Sequence, residues 1–184
     1  MHKILFSLVA FLLFGTIASA EWQQLISSGV NPNYVVISID AVDENIVWAV
    51  LDTNCTDIPQ PDFIPQFMRT TDGGTTWKTG MVTGVENMPI FDITAIDSNT
   101  AWIGANDMEG NGAIYKTTDG GTTWTLQKAV KSSYLHFFDA DNGVMITKGT
   151  LGPLVHLTID GGRFWNELRY TAVPRYVGGE FHVM

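Results

Sequence analysis

Cysteine and basic residues are scarce in this sequence of 184 residues. The single cysteine, Cys55, excludes a disulfide within the chain. We expect Cys55 to be a small buried residue, with an intermolecular disulfide or a free thiol as the alternatives. Lys and Arg number 10 against 19 Asp and Glu, which gives a formal net charge of −9. This acidic balance argues against nucleic acid or an anionic membrane surface as a partner.

Long apolar runs are also lacking beyond residue 20, so we expect no membrane span in the remainder of the chain. Residues 1–20 begin with a short positive segment at Lys3, continue as an apolar run and end in Ala18-Ser19-Ala20. This order is typical of a secretory signal peptide that is cleaved after Ala20. We therefore predict a signal peptide over residues 1–20 and a secreted mature chain, extracellular, periplasmic or on the cell surface.

An eight-residue motif occurs three times. Motif 1 (residues 70–77) and motif 2 (117–124) both read TTDGGTTW, and motif 3 (158–165) reads TIDGGRFW. Their aspartates are 47 and then 41 residues apart, a spacing typical of propellers and solenoids. Asp accepts bonds from nearby N–H groups, Gly adopts positive φ, and Thr and Trp favour strands. Each motif therefore predicts a structural β-hairpin turn with an aromatic anchor, formed by Asp72, Gly74, Trp77, Asp119, Gly121, Trp124, Asp160, Gly162 and Trp165.

A second repeated element precedes each motif. Residues 39–50, 93–104 and 135–146 each contain an apolar segment, an Asp/Asn-rich turn and a second apolar segment. Together with the motif hairpins, these segments predict four strands per repeat. We therefore predict an all-β chain that forms a β-propeller of four-stranded antiparallel blades. The three predicted blades span approximately residues 34–82, 90–129 and 133–169.

Both ends of the mature chain, residues 21–184, carry parts of further repeats. Residues 21–26 are similar to the strand that follows each motif, and residues 180–184 are similar to the first strand of a blade. Propellers close with about four to eight blades. The sequence therefore predicts an incomplete ring of about three blades, a fragment whose remaining blades lie in missing C-terminal sequence.

The three motifs resemble the Asp-box, or bacterial neuraminidase repeat, Ser/Thr-x-Asp-x-Gly-x-Thr-Trp. Motifs 1 and 2 match it throughout, and motif 3 has Phe164 where Thr is usual. Nearly all of residues 21–184 resembles Asp-box propellers, which include sialidases, sortilin-like receptor domains, xyloglucanase-type glycosidases and photosystem II stability-factor-like proteins. The resemblance implies that the motifs lie at outer turns between third and fourth strands, away from the active-site face. It does not imply one activity, because one scaffold serves unrelated functions.

Residues for catalysis or for metal and cofactor binding are not recognisable. Sialidases of the family use an arginine triad, since Arg pairs bidentately with a carboxylate. The sequence has four arginines: Arg69, Arg163, Arg169 and Arg175. Arg69 and Arg163 lie beside motifs, and the family's Phe/Tyr-Arg-Ile-Pro signature is absent. The histidines lack metal-ligand spacing. The Asp-rich turns could attract Ca²⁺, but turn chemistry explains them more simply. We predict no catalytic residue, metal site or cofactor.

Loop carboxylates remain as candidates for ligand contact. The connection between residues 51 and 66 is longer than its equivalents, and insertions in one repeat often lie on the binding face. The candidate ligand-face residues are Asp52, Asp57, Asp62, Glu86, Asp107 and Glu109. Our first hypothesis is a secreted, non-catalytic module that recognises a protein or a glycan. The alternative is a sialidase-like or xyloglucanase-like glycoside hydrolase with catalytic residues partly in missing blades.

Overall fold

The computed structural model describes residues 34–53, 65–85, 88–107, 109–150, 152–168, 175–177 and 180–182. The predicted signal peptide, the strand predicted at 21–26, and Cys55, Asp57, Asp62 and Glu86 lie outside the described residues. Every regular element in the described ranges is a β-strand. None of the described segments forms a helix long and apolar enough to cross a membrane.

Twelve of the strands form three four-stranded sheets. Sheet 1 consists of β1 (Tyr34–Ala41), β2 (Val47–Thr53), β3 (Gln66–Thr70) and β4 (Lys78–Met81). Sheet 2 consists of β5 (Ile90–Ala95), β6 (Ala101–Asn106), β7 (Gly112–Thr117) and β8 (Thr125–Ala129). Sheet 3 consists of β9 (Ser132–Phe137), β10 (Asn142–Lys148), β11 (Pro153–Ile159) and β12 (Asn166–Leu168).

Each sheet is an antiparallel meander in which neighbouring strands follow one another in the chain. The predicted fold class is confirmed: the described chain is all-β, and its three four-stranded sheets are consecutive propeller blades that do not close a ring within the described residues. A short hairpin of β13 (Arg175–Val177) and β14 (Glu180–His182) follows the third sheet. That a further blade begins at residue 180 stays a prediction.

Sheet 2 lies between the other two sheets. Its first strand, β5, contacts β1 and β2 of sheet 1, and β9 of sheet 3 contacts β5 and β6. Residues 101–105 of β6 are all buried, as expected for a strand that is covered on both faces. The near-continuous apolar character of this strand in the sequence therefore has a simple cause, since neither of its faces meets water.

Two apolar clusters fill the spaces between the sheets. The cluster between sheets 1 and 2 includes Trp48 and Phe67, and Trp124 meets both rings edge-on, with centroids 6.5 and 5.7 Å away. In the cluster between sheets 2 and 3, Trp102 stacks on Phe137 with centroids 3.7 Å apart. Burial of large aromatic rings is the main favourable term at such interfaces. Most of the core therefore lies between sheets, and a smaller buried cluster on sheet 1 contains Ala49, Leu51 and Met68.

The alternating strand directions separate two ends of every sheet. The turns between first and second strands and between third and fourth strands lie at one end, which we call the motif end because it carries motifs 1 to 3. The turns between second and third strands lie at the opposite end, with the connections between sheets. We call this the loop end, and it carries Asp107 and Glu109.

Candidate functional site

Motif 2 is closed by hydrogen bonds to its aspartate. Asp119 Oδ1 accepts bonds from Thr117 Oγ1 and Thr123 N, both at 2.9 Å, and Oδ2 accepts one from Thr123 Oγ1 at 2.6 Å. Asp72 in motif 1 has the same three partners at equivalent positions. These bonds favour the ionised carboxylate, so the pKa of Asp119 is lowered to about 2, with the Thr123 side chain as the largest cause. Such a group is a poor general acid near neutral pH.

Motif 3 keeps the turn but loses one donor. Asp160 Oδ1 accepts bonds from Thr158 Oγ1 and Phe164 N, both at 2.9 Å. Phe164 has no side-chain donor, so the second bond that Thr123 makes in motif 2 has no counterpart. The pKa of Asp160 is still lowered, chiefly by the backbone bond from Phe164. The turn therefore needs the Asp and the first Thr more than the second Thr.

The turns that connect first and second strands are also organised by an aspartate. We call them corners 1, 2 and 3, at residues 42–46, 96–100 and 138–142. In corner 2, Asp97 Oδ1 accepts bonds from Asn99 N at 2.6 Å and Thr100 N at 2.7 Å. Corners 1 and 3 repeat this pattern through Asp43 and Asp139. Asp therefore acts here as a turn former that satisfies backbone donors.

A backbone hydrogen bond joins the corner and the motif in every sheet. The first glycine of each motif donates its N–H to a carbonyl oxygen of the corner beside it. The pairs are Gly73 with Asn45 at 3.1 Å, Gly120 with Asn99 at 3.0 Å, and Gly161 with Asp141 at 2.9 Å. The corner and motif turns, each organised by an aspartate, therefore form one network that is repeated in every sheet.

The first strands of the sheets are joined by polar side chains. Asp40 Oδ2 of β1 accepts a bond from Ala95 N of β5 at 2.7 Å, and Thr94 Oγ1 of β5 accepts one from Phe137 N of β9 at 3.2 Å. Asp40, Thr94 and His136 occupy the same position in successive repeats. These strands are sheet edges, whose outward N–H groups need partners from elsewhere. Sheets 1 and 2 therefore each supply an acceptor to the edge of the sheet that follows.

Asp92 connects all three sheets. Its Oδ1 accepts bonds from Ser38 Oγ of β1 and from Ile93 N, and its Oδ2 accepts one from Leu135 N of β9, each at 3.0 Å. Burial raises the pKa of Asp92, while these hydrogen bonds oppose the rise. A carboxyl with a raised pKa is a candidate general acid. Here both oxygens are engaged by sheet-to-sheet contacts, so the position is structural.

At the motif end of sheets 1 and 2, a cationic side chain lies over a tryptophan ring. The Arg69 guanidinium lies 5.1 Å from the Trp48 ring centroid, and Lys116 Nζ lies 4.3 Å from that of Trp102. Both indoles donate to turn carbonyls of the following sheet, Trp48 to Asp97 O at 3.0 Å and Trp102 to Gly161 O at 3.3 Å. Arg69 donates to the corner of sheet 2 as well. The Arg69 guanidinium therefore holds two sheets together at the motif end, where we expect no ligand.

Two of the predicted ligand-face residues lie on one turn at the loop end. Asp107 accepts bonds from Asn111 N at 2.7 Å and Asn111 Nδ2 at 2.6 Å. Its pKa is lowered, with the Asn111 side chain as the largest cause. Glu109 is exposed on the same turn. Asp52 lies in β2, where its backbone pairs with Val35. Asp107 therefore shapes its own turn, and Glu109 is an exposed carboxylate on that turn.

No group of three or more His, Cys, Asp or Glu side chains within the described ranges could hold a metal ion. His156 Nε2 shares a hydrogen bond with Thr147 Oγ1 at 2.8 Å inside sheet 3. His136 lies on β9 with its ring edge-on to Phe138 at 4.9 Å. His136 and His156 therefore have packing or hydrogen-bonding neighbours, and no ligand set forms around them.

Sequence reasoning missed the contacts between first strands. Asp40, Asp92 and Thr94 are polar residues in otherwise apolar strands, and Asp40 and Thr94 hold the same position in consecutive repeats. That coincidence was a usable signal, because a polar side chain at a buried repeat position needs a hydrogen-bond partner. The partners lie 55 residues away for Asp40 and 43 for Thr94, and nothing local identifies them.

No protein-family model and no curated protein matches the sequence. Among solved structures, the chain is similar to the GH74 xyloglucanase from Xanthomonas campestris, at 14% sequence identity and a TM-score of 0.44. The similarity covers 70% of this chain and 19% of the xyloglucanase, so the chain spans about a fifth of that protein's length. A similarity this distant carries no conclusion about activity.

Proposed function

We propose that this chain is a secreted, non-catalytic Asp-box propeller module that binds a protein or a glycan. The observation that carries the proposal is the engagement of its carboxylates. Nine aspartates in the described ranges accept hydrogen bonds from backbone N–H groups: Asp40, Asp43, Asp72, Asp92, Asp97, Asp107, Asp119, Asp139 and Asp160. A glycosidase needs two carboxyl groups that face the substrate, one of them able to hold a proton. Turn and edge formation leave these aspartates unsuited to that role.

The loop end is the better surface for a ligand. At the motif end, corners and motifs bind one another, and Trp and cation side chains engage the next sheet. At the loop end, β2 ends at Thr53 and β3 begins at Gln66, a wider interval than between any other two consecutive strands of the described chain. Loops carried on a rigid scaffold are where binding residues concentrate. We therefore assign ligand recognition to this end, with Glu109 among the contacting residues.

A glycan microarray and a protein capture experiment test the binding role, with Glu109→Ala as the test variant and Glu44→Ala as its matched control. Both glutamates are exposed, but Glu44 lies in corner 1 at the motif end. We expect Glu109→Ala to weaken binding and Glu44→Ala to leave it unchanged. Equal effects of the two substitutions would count against the loop end as the binding surface.

Hydrolysis assays on xyloglucan and sialyllactose test the non-catalytic role. We expect no release of sugar from either substrate, whether or not the chain binds it. Turnover that survives purification and is lost in a carboxylate variant would establish the hydrolase instead.

Export is tested separately, by expressing the full chain in a bacterium and sequencing its N-terminus. We expect the chain outside the cytoplasm with Glu21 as its first residue, because Ala18-Ser19-Ala20 precedes it. Cytoplasmic chain that retains Met1 would contradict the secreted assignment.

A further inference from the structure

The carboxyl group of Asp92 lies where the three sheets meet, and its contacts between sheets do not require a negative charge. Leu135 N of β9 donates to Oδ2, and Ser38 Oγ of β1 donates to Oδ1, each at 3.0 Å. A protonated carboxyl keeps an acceptor oxygen and gains a hydroxyl donor, and a serine hydroxyl accepts as well as donates. A proton on Oδ1 therefore reverses the bond to Ser38, keeps the bond from Leu135 and releases only the bond from Ile93 N in the same strand.

The strands around Asp92 offer little that would stabilise its charge. Strands β1, β2, β6 and β9 contact β5, and none of these five strands contains Lys or Arg. Burial raises the pKa of Asp92, and the negative charge of Asp40 adds to the rise, against the hydrogen bonds that lower it. The other titratable residues of the contacting strands are Tyr34, Asp52, Tyr134 and His136.

We propose that Asp92 makes the junction of the three sheets proton-dependent, so that the sheets are held together more tightly when its carboxyl group is protonated than when it is ionised. The neutral group makes the same contacts between sheets. The ionised group also carries a charge that is partly removed from water, with no Lys or Arg on the strands around it. This dependence is separate from the binding role proposed above, and either can fail without the other.

The direction of the pH dependence follows from the pKa of Asp92. Because its folded-state pKa lies above the ordinary value of 3.8, the folded chain binds this proton more readily than the unfolded chain does. The stability that protonated Asp92 contributes is therefore fully present below pH 3.8 and is lost as the pH rises through the raised pKa. Asp119 has the opposite dependence, since its contribution is lost as the pH falls through about 2. The two aspartates therefore act in different pH ranges.

Two histidines have to be separated from Asp92, because they change charge at neighbouring pH values. Burial lowers the pKa of His156, so the stability it contributes is lost as the pH falls from 6.5 through the lowered pKa. His136 lies closer to the junction, with Nδ1 3.5 Å from Thr94 Oγ1, and its protonated form would favour ionised Asp92. Both histidines oppose the expected effect, so a comparison of matched variants is needed to isolate Asp92.

Urea unfolding of the full chain and of Asp92→Asn tests the proposal between about pH 4 and about pH 7, above the ordinary pKa of an aspartate. The asparagine is neutral throughout, and it can accept from Leu135 N through Oδ1 and donate to Ser38 Oγ through Nδ2. We expect the urea midpoint of the variant to rise relative to that of wild type as the pH increases. The control is Glu44→Gln, which removes an exposed negative charge at corner 1, and its midpoint should run parallel to that of wild type.

Amide hydrogen exchange locates the effect at the junction. The Leu135 N–H donates to Asp92 Oδ2, so its exchange reports on the contact between sheets 2 and 3. After correction for the intrinsic exchange rate, the protection of Leu135 should fall as the pH rises in wild type and stay constant in Asp92→Asn. The Gly120 N–H, which donates to Asn99 O at the motif end of sheet 2, serves as the reference, and its protection should change less. An aspartate with a purely structural role would give Leu135 the same pH dependence in both proteins.

Two outcomes would overturn the proposal. Parallel unfolding profiles of wild type and folded Asp92→Asn would mean that ionisation of Asp92 does not loosen the junction. If Asp92→Asn does not fold, carboxyl titration of the wild-type chain by nuclear magnetic resonance decides instead. Titration of Asp92 above its ordinary value of 3.8 would support the proton dependence, and titration at or below that value would reject it.

Discussion

Motifs 2 and 3 form the same turn with different amounts of support. In both, the aspartate Oδ1 accepts from the first threonine and from a backbone N–H four residues on. Thr123 adds a side-chain bond to Asp119, and Phe164 adds none to Asp160. Since the turn closes in both cases, the minimal requirement is the Asp, the first Thr and the glycines. The second Thr adds one side-chain hydrogen bond to a turn that also closes without it.

The two motifs differ more in what lies against them. A methyl group on Gly121 would overlap the Phe67 ring of sheet 1, whereas one on Gly162 would lie 3.2 Å from the Phe137 ring of its own sheet. Trp124 packs between sheets 1 and 2, and its indole N–H finds no acceptor in the described chain. Trp165 instead donates to Gly162 O at 3.0 Å. Motif 2 therefore contributes more to the interface between sheets 1 and 2 than motif 3 contributes to any interface between the described sheets.

The largest expected effect comes from Gly121→Ala compared with Gly162→Ala. Both glycines have positive φ, +82° and +91°, which costs a side-chain-bearing residue about 1–2 kcal/mol. At Gly121 the overlap with Phe67 adds about 1–3 kcal/mol of overpacking. Urea unfolding should therefore show a clearly larger loss of stability for Gly121→Ala. Equal losses would mean that the Phe67 ring moves aside freely.

The next largest loss of stability should come from replacing the motif aspartate. Asp119→Ala eliminates the acceptor of three hydrogen bonds and Asp160→Ala that of two. We expect both variants to have a lower Tm, by several degrees for Asp119→Ala and by less for Asp160→Ala. Asp72→Ala should behave like Asp119→Ala in differential scanning calorimetry while ligand binding at the loop end is unchanged. Loss of binding at an unchanged Tm would reject the structural role of this aspartate.

Acid should weaken motif 2 in a defined pH range. The folded-state pKa of Asp119 is about 2, below its ordinary value of 3.8, so the native state favours the ionised form. The stability that Asp119 contributes is therefore fully present above about pH 4 and is lost as the pH falls through about 2. Urea unfolding of wild type and Asp119→Asn at several pH values measures this. Their difference should shrink across that range, and a constant difference would contradict the assignment.

The smallest effect should come from Phe164→Thr, which converts motif 3 to the pattern of motif 2. The new hydroxyl can donate to Asp160 Oδ2, and we expect the pKa of Asp160 to fall further with a slight gain in stability. The matched control is Phe164→Val, which removes the exposed ring without supplying a donor. Carboxyl titration by nuclear magnetic resonance distinguishes the two variants. The same Asp160 pKa in both would show that the hydroxyl does not reach the carboxylate.

Strand positions were largely predictable, with an instructive exception at the fourth strand of a sheet. In sheets 1 and 3 this strand begins only after the motif has ended, β4 at Lys78 and β12 at Asn166. Thr76 and Phe164 favour strands by composition, yet their N–H groups donate to the motif aspartate. Local side-chain acceptors compete with the sheet ladder for backbone donors, and here they win.

Candidate ligand residues were less predictable than turns. Asp107 and Glu109 were chosen together as loop carboxylates, but Asp107 is engaged by Asn111, whereas Glu109 is exposed. Asp40 and Asp92 were not chosen, although they connect the sheets. Whether a carboxylate is exposed or engaged depends on its neighbours in space, which composition does not reveal.

The sequence by itself determined the turns and the number of four-stranded sheets in the described chain. An aspartate and a donor four residues later meet whenever glycines allow the intervening turn, so this contact depends on local dihedral angles alone. Only the tertiary structure decided that Asp40 reaches Ala95, 55 residues away, and that Asp92 reaches Leu135, 43 residues away. Those contacts form because the sheets pack side by side and bring one sheet's polar side chains to the unpaired edge of the next.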